Sequence, residues 1–262
     1  DMYRGPYKYG DESAGEKYAG DVQRIIESLK SEGKVPAVFI CETLLGVGGQ
    51  IPLPPNYLRE VYKYVRAAGG VCIADEVQVG FGRVGDKFWG FELQDVVPDI
   101  VVMGKPIGNG HPLAAVVVTK EIADAFNNGL EYFNTYGGNP VSMAAGLAVL
   151  EVIRDEEMQQ HAKETGEYLM EGLRKLMDEY PIISDVRGHG LFIGAEMVKD
   201  RNTLAPALPE IDIVVEKVKA SGYLLSTDGP LHNVLKIKPP MPFNKQNAGE
   251  LLSYLRKALD EL

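Results

Sequence analysis

Val101-Val102-Met103-Gly104-Lys105-Pro106-Ile107-Gly108-Asn109-Gly110-His111 sets a single lysine where an apolar run gives way to a glycine-rich loop. Ile100 to Met103 have the β-branched and apolar character of a buried strand, and Gly104, Gly108 and Gly110 let the following backbone turn tightly and approach a ligand. In open α/β sheets, ligands gather outside the carboxyl ends of the strands, and a partly desolvated amine there becomes a nucleophile. Lys105 is therefore the first candidate catalytic residue, and Schiff-base chemistry is the expectation.

Outward from that loop the chain alternates strands with helices. Apolar positions recur at helical spacing from Gly15 to Lys30, and Ala37 to Cys41 read as a buried strand ending at Glu42. A helix marked by Leu58, Val61, Tyr62 and Val65 precedes a strand, Val71 to Ala74, that ends at Asp75. One more strand, Ala114 to Val118, leads into a short helix from Lys120. The alternation predicts an α/β fold with a mainly parallel sheet covered on both faces, so that Glu42, Asp75 and the Lys105 loop lie along one edge. Small residues from Asn139 to Ile153 predict a closely packed helix running through the middle of the protein. Beyond Asp155 the texture changes to charged helices and short strands near Ile183, Leu191, Tyr223 and Val234. The expected division is residues 1–154 as part of a larger domain and 155–262 as a smaller α+β domain.

The 262 residues carry a formal charge of −10 and 45% hydrophobic residues, which disfavours nucleic acid and anionic membranes as general partners. No apolar run is long enough to span a bilayer, and the amino end lacks a signal-like segment, so a cytoplasmic protein is expected. Cys41 and Cys72 sit in apolar runs without C-x-x-C spacing and read as reduced thiols. His111, His161, His189 and His232 show no H-E-x-x-H spacing, and no metal site is expected. Gly104-Lys105 lacks the other residues of a P-loop, and no G-x-G-x-x-G follows the first strand.

Ile73-Ala74-Asp75-Glu76-Val77-Gln78-Val79-Gly80-Phe81-Gly82-Arg83, Pro98-Asp99-Ile100-Val101, Gly104-Lys105, Asn134-Thr135-Tyr136-Gly137-Gly138-Asn139-Pro140 and Asp185-Val186-Arg187-Gly188 occur in this order. Together they resemble the class III (subgroup II) aminotransferases, which use pyridoxal 5'-phosphate on the type I aminotransferase fold. The resemblance implies that Lys105 forms the Schiff base and then moves the α-proton. It implies further that Asp75 pairs with the pyridine nitrogen, that Val77 packs on one ring face, and that Gln78 reaches the ring's phenolic oxygen. Thr135 is similar to a threonine that reaches the cofactor phosphate from the neighbouring subunit, which implies a homodimer with shared sites. Glu42 resembles a glutamate lying over the substrate pocket, often paired with an arginine that binds the substrate carboxylate.

The sequence departs from the family pattern at that arginine. Val234-Leu235-Lys236-Ile237-Lys238-Pro239-Pro240 has Lys236 in its place, and lysine offers a point charge without the planar fork. This segment is more similar to the phospho-lyase members acting on phosphoethanolamine or phosphohydroxylysine. Lys236 is thus a candidate substrate residue, with exposed strand residues that have no role as the alternative reading of Lys236 and Lys238. The expected substrate is a primary amine. The expected reaction is loss of phosphate and ammonia from an O-phosphorylated amine, or transfer of the amino group to a 2-oxo acid. Members of the family are longer at the amino end, so a further expectation is a catalytically silent segment of such an enzyme. Arg187 is expected to brace the domain junction, with a substrate role as the alternative.

Overall fold

The computed structural model describes residues 1–262. Its elements in chain order are α1 (Ala14–Ser31), β1 (Val38–Glu42), β2 (Leu44–Leu45), β3 (Ile51–Pro52), α2 (Tyr57–Ala67), β4 (Val71–Asp75), β5 (Ile100–Met103), β6 (Ala115–Val118), α3 (Lys120–Phe126), α4 (Pro140–Asp155) and α5 (Met158–Glu179). Then come β7 (Ile183–His189), β8 (Phe192–Asp200), β9 (Ala205–Pro206), α6 (Leu208–Ala220), β10 (Ser226–Asp228), β11 (Val234–Ile237) and α7 (Lys245–Asp260). No helix is long and apolar enough to cross a membrane.

The first sheet has the order β1-β4-β5-β6. β1 and β4 run parallel with Glu42 opposite Asp75, and β4 and β5 run parallel with Asp75 opposite Val102. The expected convergence of strand ends is therefore present. β6 is antiparallel to β5, pairing Val102 with Val116, so the sheet is mixed at that edge. The direct turn through Lys105 to Gly110 explains this: a short loop returns the chain beside the strand it left, whereas a parallel neighbour needs a crossover.

Cover on both faces was the expectation, and here the structure differs. α1 and α2 pack on the side of Cys72 and Phe39, forming a cluster with Ala19, Leu58, Val61, Tyr62 and Val65. Strand alternation puts Val38, Ile40 and Val116 on the opposite side, where they are 46%, 58% and 62% exposed. Periodicity reports that a strand is apolar on both sides but cannot say that both covering layers lie within the same stretch of chain. α4 departs from expectation in the same way. It is apolar around its whole circumference, yet only Ser142 and Gly146 are buried.

The larger core belongs to the carboxyl-terminal part. β10-β11-β8-β7 form an antiparallel sheet, with β9 added to β8. Its apolar side chains pack with α5, α6 and α7 around Leu173, Ile193, Ile211, Leu235 and Leu251. Each such side chain contributes about 1.5–3 kcal/mol by leaving water. The last part of the chain holds its strand at Ser226–Asp228, a few residues beyond the expected position near Tyr223. The amino-terminal residues lie against this sheet: Arg4 pairs with Glu196, and the Tyr9 hydroxyl donates to Asp185 Oδ2 at 3.1 Å.

α5 approaches the β7–β8 turn so closely that a Cβ on Gly166 would sit 2.1 Å from the Gly190 carbonyl oxygen. On an open helix surface, replacing Gly by Ala stabilises by about 0.8–1 kcal/mol. Gly166→Ala is expected to reverse that sign and destabilise by roughly 1–3 kcal/mol, because backbone has to move. Urea denaturation checks this, and a variant as stable as the parent would contradict the packing described.

Candidate functional site

The parallel register brings three strand ends together, and each carries a polar side chain with a different local task. Glu42 Oε2 accepts a short hydrogen bond from the Gly46 backbone N–H, so this carboxylate closes the loop after β1. Asp75 Oδ1 accepts from the Val77 N–H at 3.0 Å and so fixes the turn after β4. Its other carboxylate oxygen makes no hydrogen bond within the chain. Lys105 begins a single helical turn, Lys105–Gly108, and its backbone φ is +39°, in the left-handed region that non-glycine residues rarely adopt. Its ammonium group has no ion-pair or hydrogen-bond partner in the chain. Lys105 is exposed in this chain, so the partial desolvation expected from the sequence is not seen here, and what marks the residue is its strained backbone at the end of a strand.

Lys105, Val77 and Gln78 line one cavity of about 560 Å³, a volume suited to a small ligand. Val77 stands against Gly104, where an added Cβ would lie 3.5 Å from Val77 Cγ1. Gln78 is 9% exposed, and Gly46 leaves room for its amide, since a Cβ there would lie 2.7 Å from Gln78 Nε2. Asp75, Glu42, Thr135 and Lys236 do not line this cavity. Thr135 is exposed in the segment between α3 and α4. Lys236 Nζ lies 2.9 Å from Asp228 Oδ2, which also accepts from Gln50 Nε2 at 2.8 Å. Lys236 is therefore neutralised by a neighbour on β10, and Glu42 is engaged elsewhere.

Two cations the sequence reading did not place in the site line the cavity with Lys105: Arg83 and Lys238. Lys238 Nζ donates to Gln78 Oε1 at 2.5 Å. Burial first, and then the positive charges of Arg83, Lys236 and Lys105, hold its pKa down at about 8. Arg83 donates to the carbonyl oxygens of Leu191 and Pro239 at 3.1 and 2.8 Å, and burial lowers its pKa to about 10. A signal for Lys238 existed in the sequence, because residues two apart on a strand share a face and Lys236 was already a candidate. Arg83 gave none beyond its place in the motif, since its neighbours at Leu191 and Pro239 are remote in the chain.

Arg187 carries a different role. It is 4% exposed at the side chain, donates to Asp185 Oδ2 at 2.6 Å and Glu196 Oε2 at 2.7 Å, and reaches the Gly49 carbonyl oxygen at 2.9 Å. It thus ties β7 and β8 to the loop that follows Glu42.

The profile of the family described as "Aminotransferase class-III" matches residues 3–259. The chain belongs to the class III aminotransferases. Pyridoxal phosphate is the cofactor of this family. A fruit-fly protein, alanine–glyoxylate aminotransferase 2-like of Drosophila melanogaster, is 50% identical over 99% of this chain and 53% of its own length. Ethanolamine-phosphate phospho-lyase homolog 1 of Caenorhabditis elegans is 43% identical over 99% of this chain and 58% of its own length. Among solved structures, a phospholyase from Arthrobacter in complex with phosphoethanolamine superimposes with a TM-score of 0.92 at 39% identity, covering 97% of this chain and 61% of that one. The chain spans about half the length of the curated relatives it matches. This class III chain shares its α/β architecture with that solved structure.

Proposed function

We propose that this chain contributes the reactive lysine and the ring-binding carboxylate of a pyridoxal phosphate enzyme acting on a primary amine, with a lean towards phospho-lyase chemistry. The observation that carries the reading is the parallel register of β4 and β5, which sets Asp75 beside the strand that delivers Lys105. The donor set suits the cofactor. A partner-free amine, a carboxylate with one oxygen unspent, an apolar side chain and a buried amide are what an aldehyde, a ring nitrogen, a ring face and a ring oxygen require.

When bound, the cofactor supplies an electrophilic carbonyl and an electron-withdrawing ring. Lys105 Nζ would condense with that carbonyl with loss of water and, once the substrate amine had displaced it, would be the free base that takes the proton from the substrate α-carbon. Asp75 would hold a proton on the ring nitrogen through a charge-assisted hydrogen bond. Val77 would pack on the ring, and Gln78 would hydrogen-bond its phenolic oxygen. Thr135, exposed here, reaches the cofactor phosphate of a neighbouring subunit, so the working form is a homodimer with shared sites. The open faces of the first sheet and of α4 support a chain that works with further protein packed on it. The unpaired Cys41 and Cys72 support a reducing compartment, the cytoplasm.

The lean towards phosphate elimination has its own support. Lys236, which stands where the family pattern has a carboxylate-binding arginine, is spent on Asp228, and this suits a substrate that lacks an α-carboxylate. Relatives named as phospho-lyases, one solved with phosphoethanolamine, point the same way. In this branch phosphate leaves the carbon next to the amine-bearing carbon, and hydrolysis yields ammonia and an oxo compound. Transamination to a 2-oxo acid is the second reading, favoured by the 50% identity to a protein named as an aminotransferase. Glu42 then orients substrate near the loop it closes.

Borohydride reduction of the protein incubated with pyridoxal phosphate, followed by peptide mapping, is expected to place the label on Lys105, and a label on another lysine overturns the assignment. Incubation with phosphoethanolamine, with and without pyruvate, separates the branches. Phosphate release without pyruvate supports elimination, whereas pyruvate-dependent alanine formation supports transamination. A labelled Lys105 with neither product identifies a silent segment.

A further inference from the structure

The cavity beside Lys105 is electropositive in a way the chemistry assigned to Lys105 and Asp75 does not require. Arg83 and Lys238 both line it, and neither forms an ion pair with any carboxylate of the chain. Glu156 is the one acidic residue in the lining. Half-buried cations without counter-charges cost free energy, and on β11 itself the chain provides such a counter-charge, giving Asp228 to Lys236 at 2.9 Å. Lys238, two residues further on, receives only the neutral Gln78 oxygen at 2.5 Å. Its Nζ also lies 5.8 Å from the centre of the Phe192 ring, a cation–π contact that helps to hold the amine in place.

We propose that Lys238 is the recognition residue for the phosphate of a phosphorylated amine substrate, and that Arg83 is its positioning residue. This rests on the reading of Lys105 as the reactive amine, because the subsite is defined by sharing Lys105's cavity. Arg83 acts through the backbone: it donates to the Pro239 carbonyl oxygen at 2.8 Å, directly after Lys238, and to the Leu191 carbonyl oxygen at 3.1 Å. These bonds fix the end of β11 against the Phe81–Arg83 turn and so fix where Lys238 points. A phosphomonoester suits the site better than a carboxylate. It carries nearly two negative charges, which match two uncompensated cations, and an ammonium binds it as a point charge without a planar fork. Depression of the Lys238 pKa to about 8 agrees with an amine whose counter-charge arrives with the ligand, and anion binding would raise it again. Gln78 joins this subsite to the cofactor side, since Gln78 and Lys105 face the same space.

The test uses the cofactor-loaded full-length protein and compares it with Lys238→Met, which keeps an unbranched side chain but removes the charge, and with Lys238→Arg. Two quantities are read: the ratio of the dissociation constants of the unphosphorylated amine ethanolamine and of O-phosphoethanolamine, followed by the cofactor's absorbance on rapid mixing, and inhibition by inorganic phosphate. A hydrogen bond between charged groups implies a loss of selectivity in Lys238→Met on the order of 10- to 100-fold. The same change is expected to weaken phosphate inhibition similarly, and Lys238→Arg is expected to recover most of both. Arg83→Met is expected to raise KM for the phosphorylated amine more than it lowers kcat, which loss of fold alone does not produce. An unchanged selectivity ratio in Lys238→Met, or phosphate inhibition equal to that of the parent, overturns the proposal. Borohydride labelling of the parent protein keeps the two claims apart: a label away from Lys105 defeats the broader reading, while a label on Lys105 with unchanged selectivity defeats this inference alone.

Discussion

Replacing Lys105 by Asn is expected to lower turnover by at least about 10³-fold while leaving the thermal midpoint equal or higher. The two halves of this expectation have separate physical causes. The amine is both nucleophile and proton carrier in the proposed reaction, and acid–base transfer alone is worth roughly 10²- to 10⁴-fold. Lys105 meanwhile adopts φ of +39°, where a side chain with a long stem is strained and Asn is tolerated. Its ammonium has no partner to lose. Removing the side chain therefore costs the fold little and removes the chemistry, which is the reverse of what a core residue does. Steady-state turnover with phosphoethanolamine, read beside a thermal melt, checks both. Activity within tenfold of the parent would remove Lys105 from the mechanism, and a large drop in melting temperature would mean that the loss of turnover reports unfolding.

Arg187→Ala has the opposite profile, with a loss of about 3–5 kcal/mol of stability expected from removing one partner of a buried ion cluster. Glu196 is 1% exposed and would retain Arg4 and Asn233, with Asn233 Nδ2 3.4 Å from Oε1. Asp185 would retain only the Tyr9 hydroxyl. The Gly49 carbonyl would lose its guanidinium donor as well. Against a typical total stability of about 5–15 kcal/mol, this is enough to leave a sizeable fraction unfolded at growth temperature. Arg187→Lys is expected to recover only part, because one ammonium cannot reach the two carboxylates and the carbonyl in the directions that the fork serves. Urea midpoints of the three proteins settle the matter, and a loss below about 1 kcal/mol for Arg187→Ala would show that the cluster relaxes around the gap.

Much of the candidate site was legible in the amino-acid order because it is built from strand ends. A strand is a short apolar run, its end is a polar residue before a turn, and parallel strands collect their ends on one edge. That logic placed Glu42, Asp75 and Lys105 together from residue types alone, and β4 and β5 pair in the register it requires. Lys236 shows where the logic stops. Its position relative to Pro239 and Pro240 suggested a substrate contact, yet whether a lysine is free depends on what stands beside it across a sheet. Asp228 pairs with it from β10, and this pairing is set by a register between strands that the sequence does not encode locally.

What the sequence alone determined is the kind of protein. The order of motifs, the glycine-rich turn after the lysine and the strand-helix alternation are local properties of residue type and spacing, and they specify the class III aminotransferase family and its candidate lysine. What only the tertiary structure decided is which charges meet. The antiparallel return of β6, the uncovered face carrying Val38 and Ile40, the exposure of α4, and the exchange of roles between Lys236 and Lys238 all depend on contacts between remote segments. Alternation tells that two lysines share a strand face. Only the packing of β11 against β10 and the Phe81–Arg83 turn decides that one lysine is neutralised and the other faces the cavity beside Lys105.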